Sequence, residues 1–389
     1  MLNKEGQREL AYIIKIDEIK PIEGADKVEV AVVNGWRIMV RKGQFQPGDL
    51  AVYFEIDAQV PEKEPFMFLA QKHFKIKTQK YFKGTVISQG LLMSFEDFGW
   101  SADQHKLGDF VTEELGVTYA DAEDNTRKAN SVDRYKKMAQ RHGKLFSKQP
   151  YRWLMRREWG KKLLFLFYGR KKDKKTGWPE WVKKTDEERI QNMPWILESG
   201  EKWIVTEKID GTSTSFTMKR HGKRKFDFYV MSRNVVFDKP DKACFYESNV
   251  YLEMAEKYHI EEVLRNFLME HPAAEWVTLQ GETYGKSIQK REYGIDDHAF
   301  AGFNLITSNE GRWNSVKAEE AMSKYGIDWV PILEINFELP KTVDEMLAYA
   351  GRFASELDGG MREGVVVRSQ DGAQSFKAVS NAFLLKYHG

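Results

Sequence analysis

The chain has 389 residues, 42% apolar and 30% charged, with 60 Lys and Arg against 58 Asp and Glu. That length asks for two or three domains, and the apolar share fills ordinary cores, which excludes a wholly disordered chain. Cys244 is the only cysteine, which excludes an intrachain disulfide framework, a CxxC redox pair and a cysteine-rich zinc or iron–sulfur site. No apolar run at the start suits a secretion signal and none approaches the roughly 18 residues of a membrane helix. A soluble protein of the cytoplasm or another intracellular compartment, with no membrane partner, is expected.

Residues 11–19, 28–33, 36–41, 50–56 and 85–93 are short runs rich in Val, Ile and aromatics, separated by Gly, Pro and Asp punctuation. Asn34-Gly35 suits a two-residue hairpin turn, because both residues tolerate positive φ. The pattern predicts a compact β module over residues 1–115, closed as an OB-like or an SH3-like barrel.

The basic charge is concentrated: residues 127–175 hold 18 Lys or Arg and three acids, leaving the rest of the chain net acidic. The segment 116–184 reads as a basic, aromatic-containing linker or insertion. Its cations suit backbone phosphates and its Trp and Tyr suit base stacking. Equally, Trp153, Trp159, residues 163–167 and Trp181 can pack on a neighbouring domain while the cations snorkel. Thr185 with Glu188 three residues on resembles a capping box, so a short helix ending at Pro194 is expected.

The texture of residues 201–389 is α+β. Strands are expected at 203–207, 214–219, 227–232, 276–281, 299–306 and 364–368, and helices at 248–270, 315–325 and 342–357. Within this half, VTEKIDGTSTSF puts Lys208 at a strand end, two residues before Asp210 and three before Gly211. A lysine becomes a nucleophile when desolvation or positive neighbours let its ammonium lose a proton, and Gly211 allows close approach of backbone to a ligand. Alone, KxDG is weak and equally describes a strand end followed by a surface turn.

The remaining motifs give it weight. Lys208–Gly211 is followed in order by Ser232-Arg233-Asn234, LQGETYG at 279–285, Phe300-Ala301-Gly302-Phe303, EGVVVR at 363–368 and Ser375-Phe376-Lys377. This series resembles motifs I, Ia, III, IIIa, IV and V of the covalent nucleotidyltransferases, specifically ATP-dependent RNA ligases with an N-terminal OB-like module and a C-terminal ligase domain. PIEGADKVEVAVVNGW, KGQFQPGDLAVYFEID and TDEERIQN resemble the same branch.

The resemblance implies an N-terminal OB-like β-barrel, then, over residues 185–389, an ATP-grasp-like adenylyltransferase domain built on antiparallel sheets. It implies ATP as nucleotide donor and Mg2+, with Mn2+ as substitute, as the metal. Lys208 would attack the α phosphate and hold AMP, pass it to a 5′-phosphate end, and a 3′-hydroxyl would then close the strand. Lys377 would offset charge at the transferring phosphate, and Glu363 and Asp210 would hold the metal. Glu207 would contact the purine, Phe303 would stack on it, and Glu282 and Arg233 would serve the ribose and end-recognition part of the pocket. The implied partner is nicked duplex RNA or an RNA/DNA hybrid, bound by a monomer, with residues 127–175 as a backbone contact.

Two departures stand out. Ser213 replaces a frequent Asn of motif I, and Val379 replaces a second motif V lysine, leaving triphosphate handling to Lys377, Arg368 or the basic stretch. GETYGKS at 281–287 has the wrong glycine spacing for a P-loop. A capping guanylyltransferase would place its OB module after the transferase, and a DNA ligase would carry a C-terminal OB domain. A catalytically degenerate nucleic-acid-binding protein is the alternative from another class.

Overall fold

A computed structural model describes residues 8–119, 148–155, 157–168, 178–183, 187–222, 225–233, 235–237 and 249–387. Thr185, Asn234, Cys244 and most of the basic stretch lie outside the described residues. Among the described residues no helix is long and apolar enough to cross a membrane.

In the N-terminal module Ala11–Lys15, Leu50–Phe54 and Leu91–Met93 form one antiparallel sheet, and Glu18–Pro21, Val28–Val33 and Trp36–Arg41 form another. The Asn34-Gly35 hairpin forms as expected, with φ of 46° and 75°. The expected strand at 85–93 is divided at Gly90, whose φ of 114° separates Val86–Ser88 from Leu91–Met93. Strands Ala11–Lys15 and Leu50–Phe54 are buried on both faces. Alternation sends Tyr12, Ile14 and Tyr53 to a cluster with Trp36 and Ile38, and Ile13, Val52 and Phe54 to one with Phe66, Leu69 and Phe95. Short helical turns at Phe66–Lys72 and Phe95–Phe98 thus cover a barrel face that would otherwise meet water. The result is an OB-like module with additions.

The C-terminal domain is built on two sheets. One has the order Glu188–Arg189, Ser375–Val379, Gly364–Ser369, Lys202–Lys208, Ile332–Glu338. The other runs Val236–Phe237, Lys225–Ser232, Thr212–His221, Trp276–Gly285, His298–Thr307, Gly311–Arg312. Pairing is antiparallel except that Glu188–Arg189 lies parallel to Ser375–Val379. This parallel strand and the 3-10 turn Ile190–Asn192 stand where a short helix ending at Pro194 was expected, and a second turn, Pro194–Glu198, follows. Pairing with a strand distant in sequence shapes the described residues there.

Helix Val343–Arg352 packs Met346 and Leu347 against Trp203, Val205, Val365, Val367 and Phe376 of the first sheet. Its Thr342 cap and Glu345 exchange the two bonds of a capping box. The helix expected over 248–270 is two helices, Val250–Lys257 and Ile260–Glu270, divided at His259 with φ of 49°. Asn249 caps the first, accepting from the N–H of Tyr251 and Leu252. The break lets Met254 on one helix and Ile260, Leu264 and Phe267 on the other reach one cluster with Phe216, Leu279 and Phe300.

Trp181 packs on this second sheet, donating its Nε1–H to Thr217 Oγ1 at 3.2 Å with Lys219 4.5 Å above its ring. A separate unit carries helices Gln149–Met155 and Glu158–Tyr168. Within it Trp153 and Trp159 meet edge to face at 6.0 Å, and Arg157 lies 4.2 Å over Trp153.

Candidate functional site

Strand Lys202–Lys208 alternates. Trp203, Val205 and Glu207 face one side; Thr206 and Lys208 face the other, level with Val366 and Gly364. Lys377 pairs with Val366, so Lys208 and Lys377 share a sheet face. The opposite face holds the apolar cluster with Trp203 and Val205.

Lys208 Nζ lies 2.8 Å from Glu363, whose side chain is 9% exposed. Glu363 directly precedes Gly364, and a Cβ at Gly364 would sit 2.2 Å from Ala378 O, so glycine lets the strands carrying Glu363 and Lys377 pair this closely. Asp210 is buried, and its N–H donates to Tyr293 Oη at 2.6 Å. Glu282 pairs across the sheet with Ser213. Burial pushes the Lys208 ammonium down, but Glu363, Glu282 and Asp210 outweigh it and hold the ammonium above its usual range. Burial pushes Glu282 up to about 8, with Glu363 and Asp210 adding to the shift and Lys208 opposing it.

Lys208 thus faces three carboxyl groups, of which Glu282 keeps its proton up to about pH 8. All three offer hard oxygen donors, so the donor set fits Mg2+ or Mn2+.

Phe303 is the extra residue of a β-bulge: Gln280 pairs with Asn304 and Gly281 with Gly302. Backbone bonds of Gly302 to Asp328 and Val330 brace the bulge. The half-buried Phe303 ring packs against the second-sheet core, and the Arg368 guanidinium lies 5.8 Å from it. Arg233 is exposed, one step beyond the Thr214–Ser232 pair and so level with Ser213 and Glu282.

Three of the expected site residues have their surroundings set by the protein itself. A Cβ at Gly211 would lie 2.3 Å from Thr283 O and 2.9 Å from Glu282. The glycine is needed where the chain crosses the strand carrying Glu282. Glu207 does not join the Lys208 cluster: it is 2% exposed and accepts from Ser355 Oγ and, at 2.8 Å, from Glu356 N, with Arg362 at 3.6 Å. Burial pushes its carboxyl up in spite of these donors. Arg368 is not free for a triphosphate, being buried and committed to Thr206 Oγ1 at 3.1 Å and Glu187 at 3.3 Å. Val379, in turn, is buried with Ile87 of the N-terminal module and Leu384, where an ammonium would be stranded.

Sequence reasoning missed Tyr293, which holds Asp210, and the Ser355, Glu356 and Arg362 group around Glu207. None lies in a motif. Only KREYG after the third motif, and Arg362 directly before Glu363, hinted at them.

Family models match in two places: an OB-fold domain over residues 10–95 and RNA ligase over residues 201–388. No curated protein matches in sequence. Among solved structures the chain is similar to Naegleria gruberi RNA ligase. A mutant with AMP and Mn is 26% identical, covering 98% of this chain and 99% of that one, with a TM-score of 0.67. A mutant with ATP and Mn is 25% identical over 97% and 99%, with a TM-score of 0.67. The enzyme with PPi is 26% identical over 98% and 99%, with a TM-score of 0.66. An OB-like module, the ordered motifs and a lysine set among three carboxylates agree with these likenesses along nearly the whole chain: it belongs to the ATP-dependent RNA ligases that join an N-terminal OB fold to a C-terminal nucleotidyltransferase domain.

Proposed function

We propose that this protein, acting as a monomer, seals 5′-phosphate and 3′-hydroxyl RNA ends at nicks in duplex RNA or RNA/DNA hybrids, with Lys208 as the nucleophile. The observation that carries this reading is the 2.8 Å pair of Lys208 with Glu363 inside the cluster completed by Asp210 and Glu282. The ATP, AMP, Mn and PPi in the Naegleria gruberi ligase structures support ATP as donor and a divalent metal at this site.

The Lys208 ammonium first gives up a proton to solvent water. Its nitrogen lone pair then forms a bond to the α phosphorus of ATP while the bond to pyrophosphate breaks. Mg2+ or Mn2+, held by Glu363 and Asp210, would supply positive charge beside Nζ and the α phosphate. Lys377, on the same sheet face, offsets negative charge on the phosphoryl oxygens. Glu282 binds the ribose, Phe303 stacks on adenine, and Arg233 reaches the strand end. Glu207 acts as a positioning residue, holding the segment from Ser355 to Arg362 that leads into Glu363. AMP then passes from Nζ to the 5′-phosphate, and attack of the 3′-hydroxyl joins the strands and releases AMP. Residues 127–175 lengthen the backbone contact.

Intact mass after incubation with ATP or GTP and Mg2+ tests the first step. Wild type should gain one AMP, Lys208→Ala none, and a nicked duplex with a 5′-phosphate should discharge it. Uptake of GMP would replace the reading with capping chemistry, and uptake of neither nucleotide by folded, nucleotide-free protein would overturn it.

A further inference from the structure

Between Glu64 and Glu96 the chain has no acid and five lysines, Lys72, Lys75, Lys77, Lys80 and Lys83. The same segment displays Phe68 at 60%, Met67 at 46% and Phe82 at 41% exposure.

Phe66 and Leu69 anchor the helical turn Phe66–Lys72 in the module's core and leave Met67 and Phe68 outside. The neighbouring hairpin pairs Gln79–Tyr81 with Val86–Ser88. Lys72 Nζ donates to Gln79 Oε1 at 2.9 Å, which ties turn and hairpin together. The hairpin's base is fixed to the C-terminal domain, where Lys80 donates to Leu385 O and Ile87 packs with Val379 and Leu384. Its tip, Phe82–Gly84, stands clear of these anchors.

At that tip Phe82 and Lys83 have φ of 51° and 57°. A bulky residue in the left-handed region costs stability, and an exposed phenylalanine there recovers little by burial. Strain kept without a packing return points to a function of the displayed ring. Aromatic rings beside lysines, in a run of chain that carries no acid, match the chemistry of unpaired nucleotides: bases stack on rings while ammonium groups meet phosphates.

We propose that residues 66–83 bind unpaired RNA flanking the broken duplex, with Phe82 and Phe68 as stacking platforms and Lys72, Lys77 and Lys83 as phosphate contacts. This rests on the RNA-sealing reading above and gives it a substrate preference. A nicked duplex with a single-stranded extension should bind more tightly than the same duplex without one.

The test measures fluorescence anisotropy of a labelled single-stranded oligoribonucleotide, and of nicked duplexes with and without an extension, against full-length variants. Phe82→Ala should weaken binding of the oligoribonucleotide and the extended duplex by roughly 10-fold. The combined Lys72→Ala, Lys77→Ala, Lys83→Ala variant should make the log–log salt slope for the oligoribonucleotide shallower by about 2. Phe82→Gly, which relieves the positive φ, should raise the melting temperature and still bind weakly. Lysyl-AMP formation needs no RNA and reports that each variant is folded. Equal affinity and salt slope for wild type and variants, or no preference for the extended duplex, would overturn the proposal. Failure of wild type to seal even the plain nick would instead strike the sealing reading, so the two failures are distinguishable.

Discussion

Lys208 and Glu363, 155 residues apart in sequence, meet at 2.8 Å where strand Lys202–Lys208 ends beside the start of strand Gly364–Ser369. Glu363 is the largest attraction holding the Lys208 ammonium above its usual range, although burial pulls it down. The same contact therefore keeps the proposed nucleophile in its protonated form and places the proposed metal ligand against it. Glu363→Gln should lower the Lys208 pKa and yet slow lysyl-AMP formation on the order of 100-fold or more, because a metal ligand is lost. Rates of AMP uptake against pH, by intact mass, check this: the residual activity should rise at lower pH than in wild type. Unchanged rates would remove Glu363 from the proposed machinery.

Glu282 gives the ligand-free protein a pH-dependent stability. Its carboxyl is raised from 4.5 to about 8 by burial first and by Glu363 and Asp210 next. The folded form holds a proton that the unfolded form has already released in this window, so stability falls as pH rises from about 4.5 to 8. Urea midpoints at pH 5, 6.5 and 8 should fall in wild type, and more gently in Glu282→Gln. Parallel trends in the two proteins would contradict the assignment.

Gly211→Ala places a Cβ against the Thr283 carbonyl at 2.3 Å, with backbone on both sides of the clash. Overpacking of this kind costs about 1–3 kcal/mol. Urea unfolding should show that loss, and AMP uptake should drop with it because Asp210 and Lys208 sit on the displaced segment.

Val379→Lys would restore the family's second motif V lysine. Here the site is 3% exposed among Ile87 and Leu384, so the ammonium would be buried without a partner. The expected outcome is a loss of about 2–4 kcal/mol rather than a gain in rate, read by thermal melting and by AMP uptake. A faster first step at unchanged stability would refute this account of the substitution.

Much of the fold was legible in the sequence. Val28–Val33 and Trp36–Arg41 lie where alternation and Asn34-Gly35 put them, because a two-residue turn with positive φ is a local demand. The break at His259 was not legible, since no Gly or Pro marks it and only the need of two helices to cover one sheet imposes it. Nor was the strand Glu188–Arg189, whose parallel partner lies in Ser375–Val379, far along the chain.

The sequence by itself determined the two-part organisation, the ordered motifs and which residue types gather in them. Order along a chain is enough to name a chemistry when six short motifs recur together. Tertiary structure alone decided which of those side chains meet. Strand alternation turned Lys208 and Lys377 to one face and Glu207 to the other; a bulge displaced Phe303; Glu187 claimed Arg368. Each outcome depends on contacts between residues distant in sequence, where burial and pairing set the energy and no local pattern can carry the information.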